Sequence, residues 1–486
     1  MMHSTVGGEV DTHELVGQLR QHQPSWEALG VSGRVAWLRS YAQWLLDNEK
    51  PIIDVLVCDV GKPRIEAVTE FMVALDVMKF YSGNAETFLR TGRPRPHNLL
   101  NVPKKVTVSH RPYPVVGVIT PWNFPLGLSL IDAIPALIAG AAVVIKPSEV
   151  TPNSVIAAVA GWEEIGAPPI FGVVDGDGVV GEALVDEVDC VQFTGSSRTG
   201  RIVAQRCAQR LIPCGLELGG KDPALVLDDA DLPTAARGIA WGALANAGQM
   251  CTSVERVYVH DAVYDSFLDE LVGHVRGLRR GTDVGGLVTA EQFDIVTRQL
   301  ADAVSGGARI VTGGGTDVDR RHIEPTVLVD VDHTMACIRE ETFGPLIPVI
   351  RVADDEEAIR FANDSVFGLS ASVWTRDRRR GQRIAARLDA GAVNVNDSHA
   401  NISFFPAPMG GWKQSGIGAR LGGAAGILKY TRPQTITIPR TPISLQRYLL
   451  WYPYSRGRAR RLAVAMRTLV ATGRRRWAST GVRANH

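Results

Sequence analysis

The sequence predicts an α/β fold: a largely parallel sheet covered by helices on both faces, followed by a second α/β domain. Three observations carry this. From residue 106, short β-branched runs alternate with helical patterns (VTVSH, VVGVIT, AVVIK, FGVV, DCVQFTGS, ALVLDD, ERVYVH), and strands alternating with helices imply parallel pairing. From about residue 218 a second series appears, with ERVYVH, ARIVTGG, LIPVI, ASVWT and AVNVN, enough for a sheet of its own. The turns after the first strands (TPWNFP, KPSEVTP, GDGVVG, TGSSRTG) are rich in Gly, Pro, Ser, Thr and Asn, and ligands in such folds gather at the carboxyl ends of strands.

The elements follow in order. Val35, Leu38, Ala42, Leu45 and Leu46 recur at helical spacing, with Ser32 as the expected N-cap. Pro51 restarts a helix through Ile52, Ile53, Val55 and Leu56, which Gly61 ends. The 486 residues, 45% of them hydrophobic, suffice for two to three domains with sizeable cores. With 52 Lys and Arg against 51 Asp and Glu, the whole molecule has no bias toward nucleic acid. Cysteines at 58, 190, 207, 214, 251 and 337 form no C-x-x-C pair, which argues against a metal site or a secreted disulfide framework and fits a reducing cytosol. No basic start with an apolar run opens the chain and no run of 18 apolar residues occurs, so neither a signal peptide nor a spanning helix is expected.

Chemistry-bearing residues sit in the turns. Cys251, in NAGQMCTS, follows a helical pattern and precedes a strand; there a thiol is either a nucleophile, if ionised, or a buried structural cysteine. Glu217, in LELGGK, is a carboxylate in an apolar setting, suited to act as a base or to pair with Lys221. Asn123, between Pro121 and Pro125, offers a fixed amide to an oxyanion or simply serves the turn. Lys146 and Glu149, in KPSE after a strand, are placed to grip a ribose. GDGVVG at 176–181 is a literal glycine fingerprint, weak on its own.

The set is more specific than its members. PWNFP, KPSE, FTGS at 193–196, ELGGK, GQMC, EETFGP at 340–345 and PMGGWKQSG at 408–416 occur in one order. With 34 positions from Glu217 to Cys251, the chain resembles the aldehyde dehydrogenase superfamily over roughly residues 15–440. The resemblance implies an aldehyde-dehydrogenase-like α/β fold with a Rossmann-type NAD(P)-binding domain (1–104 and 116–217), an α/β catalytic domain (218–405), a small oligomerisation arm (105–115 and 431–440) and a basic tail (441–486). It implies Cys251 as nucleophile, Glu217 as base and Asn123 as oxyanion donor. Trp122, Lys146 and Glu149 would meet the adenosine ribose region, Gly195 and Ser196 the pyrophosphate, and Glu341 and Phe343 the nicotinamide ribose and ring. Thr120 and Leu218 complete the expected cofactor contacts. Glu149 tilts the cofactor to NAD, with NADP as the alternative, and Glu217 favours water over coenzyme A as acyl acceptor.

The chain departs from the family in three places. Most of the strand region that usually precedes the first helices is lacking, and the 176–181 glycine turn is one residue short. Asp132 and Arg420 carry charges exchanged relative to many members, which suggests a reversed ion pair beneath the site. Phe124, Leu126, Leu128, Ile131, Phe404, Phe405 and Met409 suggest an apolar funnel, so a hydrophobic aldehyde is expected. Part of the chain also resembles bacterial succinate-semialdehyde dehydrogenases, but Ile131 and Ala245 stand where many of those carry cations. A non-catalytic dinucleotide-binding homologue is the alternative of another class. From Thr441 the sequence holds no Asp or Glu but many arginines, mixed with Trp, Tyr and Leu. That is the make-up of a peripheral membrane contact or a solvated basic helix. A cytoplasmic homodimer or homotetramer with a small-molecule aldehyde as its partner, and no nucleic acid, completes the expectation.

Overall fold

The computed structural model describes residues 11–97, 101–418, 421–440 and 451–470. Four helices come first: α1 (Thr12–Ala28), α2 (Gly30–Asp47), α3 (Glu49–Val60) and α4 (Arg64–Phe88). Ser32 is not an N-cap. It lies inside α2, whose N-cap position is Leu29 without a side-chain hydrogen bond, because Gly30 at φ 69° makes the turn from α1. Pro51 falls within the first turn of α3, and Gly61 closes that helix at φ 71°, as its position suggests.

The first sheet contains β2 (Val115–Ile119), β3 (Ala142–Lys146), β4 (Phe171–Val173), β5 (Cys190–Thr194), β6 (Cys214–Glu217) and β18 (Gly416–Ile417). Their order is β18-β6-β5-β2-β3-β4, parallel except where β18 meets β6. β2 and β3 are buried at every position, which is why they read as unbroken apolar runs rather than alternations. Helix α5 (Pro125–Ala139) starts on a proline, ends at Gly140 with φ 107° and is almost wholly buried. Helices α6 (Asn153–Glu164), α7 (Gly178–Glu187) and α8 (Ser197–Arg210) link the later strands. The 176–181 glycine turn is the entry to α7, capped by Asp177 on Val179 N–H at 2.8 Å.

The second sheet runs β16 (Ala392–Val395), β15 (Ser370–Trp374), β7 (Asp222–Val226), β8 (Val254–His260), β13 (Leu346–Val352), β12 (Thr326–Val329), β9 (Arg309–Thr312). Only β9 is antiparallel to its neighbour. Helix α9 (Leu232–Leu244) packs on this sheet. Two ribbons are minor: β10 (Thr316–Asp317) with β11 (His322–Ile323), and β14 (Phe367–Gly368) with β17 (Trp412–Lys413).

These elements belong to one compact unit, Met1–Phe88 with Pro112–Arg432. The other, Leu89–Arg111 with Pro433–His486, holds most of the two-stranded pair β1 (Lys104–Pro112) and β19 (Thr431–Pro439) and the helix Arg456–Val470. Among the described residues no helix is long and apolar enough to cross a membrane. Arg420, Arg447 and Arg474–Arg476 lie outside the described residues.

Candidate active site

The carboxyl ends of β2, β3, β5 and β6 open onto a groove of about 700 Å³. Its lining includes Cys251, Glu217 and Asn123, and also Thr120, Trp122, Lys146, Glu149, Gly195, Ser196, Leu218, Glu341 and Phe343. Of the apolar funnel residues only Leu128 reaches it. Ile131 and Met409 are buried in packing, and Phe124 stacks under the Lys62 ammonium, 3.8 Å from the ring centroid.

Cys251 ends a stretch of unusual backbone. Asn246, Ala247 and Gly248 all have positive φ, at 52°, 57° and 76°, a conformation L-residues hold only when surroundings over-determine it. The surroundings here are specific. The Gln249 amide donates to Asn246 O at 2.9 Å and accepts from Val288 N–H at 2.9 Å. Ser253 Oγ donates to Ala243 O at 3.2 Å. A side chain at Gly248 would sit 2.3 Å from Gly344 O, and one at Gly220 would sit 2.2 Å from Cys251 O. Both glycines are there for close approach.

Asn123 is buried. Its Nδ2 donates one hydrogen to Gln249 O at 2.9 Å. Its backbone carbonyl accepts from Lys62 Nζ at 2.8 Å and Asn246 Nδ2 at 3.0 Å. Lys62 is itself paired with Glu70 at 2.7 Å, both fully enclosed, and Glu70 accepts from Gly127 N–H in the first turn of α5. Glu66 accepts from Asn246 N–H at 3.0 Å, and burial raises its pKa.

Glu217 is the last residue of β6 and is buried; its carbonyl accepts from Gly195 N–H at 3.1 Å. Lys221, the partner that the sequence offers as an alternative, meets Glu255 at 2.6 Å and Thr342 Oγ1 at 2.9 Å. Glu255 also accepts from the backbone N–H groups of Thr342 and Phe343 at 2.7 and 2.8 Å, fixing the EETFGP turn. There Phe343, at φ 50°, packs edge-on to Trp122 with ring centroids 5.5 Å apart. Glu341 accepts from Gly220 N–H at 3.0 Å; burial, with the Glu255 charge adding, pushes its carboxyl up to about 8.

The sequence profile described as the Aldehyde dehydrogenase family matches residues 1–436. The chain belongs to the aldehyde dehydrogenase family. A protein of Mycolicibacterium smegmatis assigned as a succinate-semialdehyde dehydrogenase [NADP(+)] is 40% identical over 447 residues, 90% of this chain and 86% of that protein. The 4,4'-diapolycopene aldehyde oxidase of a Methylomonas species is 40% identical over 437 residues, 88% and 82% of the two chains. Among solved structures, lactaldehyde dehydrogenase from Escherichia coli is 32% identical with a TM-score of 0.85, covering 90% of this chain and 92% of that one. Betaine aldehyde dehydrogenase from Staphylococcus aureus, in complex with NAD+, is 29% identical with a TM-score of 0.84, covering 92% and 90%. The protein is thus an NAD(P)-dependent aldehyde dehydrogenase that oxidises an aldehyde.

The groove of this aldehyde dehydrogenase has room for a dinucleotide by its volume, and its lining is chemically suited to one. Gly195 leads into α8, where Ser196 caps Thr199 N–H at 3.2 Å, leaving a helix N-terminus facing the groove for a phosphate. A side chain at Gly195 would run into Phe193 at 2.7 Å, and one at Gly219 into Glu341 at 2.5 Å. Lys146 is buried and meets the exposed Glu149 at 3.3 Å. Lys62, Glu66, Glu70, Asn246, Gln249 and Glu255 went unnoticed in sequence reasoning. Asn246 and Gln249 flank the noticed GQMC motif, but their roles depend on backbone conformation.

The expected Asp132–Arg420 pair falls partly outside the described residues. Asp132, buried on α5, accepts from Lys429 Nζ at 3.1 Å and Tyr430 OH at 3.0 Å.

Proposed function

We propose that this aldehyde dehydrogenase oxidises an apolar aldehyde through a thioester on Cys251, with Glu217 as the base and Asn123 as an oxyanion donor. The observation that carries the reading is the convergence of these three side chains on one groove. Cys251 attacks the carbonyl carbon, and the carbonyl electron pair moves to oxygen. Nδ2 of Asn123 has two hydrogens, one held by Gln249 O; the second is aimed at that oxygen, with Cys251 N–H as the other donor. Nicotinamide, when bound, supplies the acceptor for the hydride released as the thiohemiacetal becomes a thioester. Glu217 then takes a proton from water, the water oxygen bonds to the acyl carbon, the C–S bond breaks, and acid leaves as the thiolate returns.

Trp122, Lys146 and Glu149 are assigned to the adenosine ribose, Gly195 and Ser196 to the pyrophosphate, and Glu341 and Phe343 to the nicotinamide half. Thr120 and Leu218 are assigned as further cofactor contacts. NAD is favoured because the Glu149 carboxylate repels a 2′-phosphate; the NADP(+) in the name of the mycobacterial relative supports the other choice. Leu128 supports an apolar substrate. The same relative's name supports succinic semialdehyde as the second reading.

We read the enzyme as a cytoplasmic homodimer or homotetramer. Its tail is read as a peripheral contact with anionic lipid: from Thr441 it holds ten of the 52 basic residues and none of the 51 acidic ones.

The test follows formation of NADH and NADPH with succinic semialdehyde, short and long alkanals and aromatic aldehydes, with Cys251→Ala as control. Turnover of apolar aldehydes that vanishes in the control is expected. Preference for succinic semialdehyde replaces the substrate reading, and full turnover by Cys251→Ala overturns the mechanism.

A further inference from the structure

Spacing presents the cysteines as scattered, yet three of them gather at the end of the first sheet opposite the groove. Cys190 opens β5 and Cys214 opens β6, and the parallel register sets Val191 beside Cys214. Cys207 lies in the last turn of α8 and is 1% exposed. The link 208–213 turns the chain sharply back. Leu211 is left-handed at φ 56°, Ile212 N–H donates to Cys207 O at 3.1 Å, and Val191 N–H donates to Pro213 O at 3.1 Å. This return packs the end of α8 against β6 and brings the Cys214 thiol near enough to the Cys207 thiol for each to shift the other's ionisation.

The thiols are not equivalent. Cys214 is partly exposed, whereas Cys190 and Cys207 are buried. The neighbouring Cys207 thiol holds Cys214 below the ordinary thiol value, at about 7, while burial pushes Cys190 up to about 12. One partly exposed sulfur is therefore easier to ionise than an ordinary thiol, and a buried thiol neighbours it. A low-pKa cysteine beside a resolving cysteine is the chemistry of a peroxide sensor, and disulfides in a reducing compartment are mostly of this transient kind. None of the three lines the groove, and the aldehyde reaction uses none of them.

We propose that Cys214 and Cys207 form a peroxide-responsive thiol pair that closes to an intramolecular disulfide. The Cys214 thiolate attacks one oxygen of a hydroperoxide; the S–O bond forms, the O–O bond breaks, and hydroxide or alkoxide departs. Sulfur has lost two electrons to the peroxide and is a sulfenic acid. Cys207 gives up its proton and attacks that sulfur; the S–S bond forms, the S–O bond breaks, and water leaves. A dithiol reductant reverses the closure by exchange.

Trypsin cleavage after Arg206, Arg210 and Lys221 puts the two cysteines on separate peptides, Cys207–Arg210 and Leu211–Lys221. The full-length enzyme is exposed to hydrogen peroxide, alkylated, digested without reduction and mapped by mass spectrometry. The expected product is these two peptides joined, lighter than their sum by two hydrogens, absent before peroxide and lost with dithiothreitol. Cys214→Ser abolishes the product. Cys207→Ala leaves Cys214 as a sulfenic acid that dimedone traps. Recovery of both cysteines singly alkylated at a peroxide dose that oxidises Cys251 overturns the proposal, as does a link from Cys214 to Cys190 or to another chain.

Discussion

Asn123 is held through its own backbone, because Lys62 and Asn246 grip its carbonyl while Gln249 takes one amide hydrogen. Asn123→Ala should therefore cost about 10²–10³ in kcat, with the fold intact by circular dichroism. Glu217→Gln should slow thioester hydrolysis by about 10²–10⁴; rapid-quench kinetics would then show a burst of reduced cofactor before a slow steady state. An equal loss of burst and steady state would mean that Glu217 acts before the thioester forms. Lys62→Met leaves Glu70 enclosed without its cation and should destabilise the protein by about 3–5 kcal/mol in denaturant unfolding; adding Glu70→Leu should recover most of that. At this scale the sequence singled out Cys251, Glu217 and Asn123, the residues proposed to react, because each sits in a dense motif, and the structure places all three on one groove. Lys62 and Glu70 were not legible, since a lysine and a glutamate eight residues apart look like surface charges until the chain encloses them.

Elements enter the chemistry through their ends. β6 delivers Glu217 at its last residue, and the glycines after it let the Cys251 backbone approach. Gly220→Ala would force a Cβ to within 2.2 Å of Cys251 O, so turnover should fall by about 10²-fold while far-ultraviolet dichroism is unchanged. The EETFGP turn carries a pH signature. Because the folded-state pKa of Glu341 is raised from 4.5 to about 8, its contribution is present in full below 4.5 and is lost as pH climbs through that window. Melting temperature should fall over that range in the parent and fall less in Glu341→Gln. β2 and β3 were legible as strands from their apolar runs, whereas α5 was passed over, because Pro125 reads as part of the Asn123 turn and yet opens the helix. β6 was not legible either, for CGLE is four residues with a glycine and no alternation, and it becomes a strand only because β5 offers an edge. Ser32 misled for the converse reason, since Gly30 turns the chain and no cap is needed.

At the scale of the whole molecule, charge is unevenly spread. Removing residues 441–486 leaves 42 basic residues (52 less ten) against 51 acidic ones, so the truncated enzyme is net acidic. If the tail is the membrane contact, truncation should abolish co-sedimentation with vesicles rich in anionic lipid and leave kcat on a water-soluble aldehyde unchanged. Retained co-sedimentation would locate the contact elsewhere. The α/β class was legible from alternation, and the aldehyde dehydrogenase family from ordered motifs. The Asp132 partners were not, because nothing local in ILKYT marks Lys429 and Tyr430 as companions of a helix so far upstream.

That pairing bears on how the chain is made. Lys429 and Tyr430 meet Asp132 from 297 and 298 residues further along, while Asp132 sits wholly enclosed on the helix that follows Asn123. As the polypeptide leaves the ribosome, α5 must wait for 297 further residues before this ammonium emerges and 298 before the hydroxyl does. A chain released before those residues are made carries a buried carboxylate that lacks both.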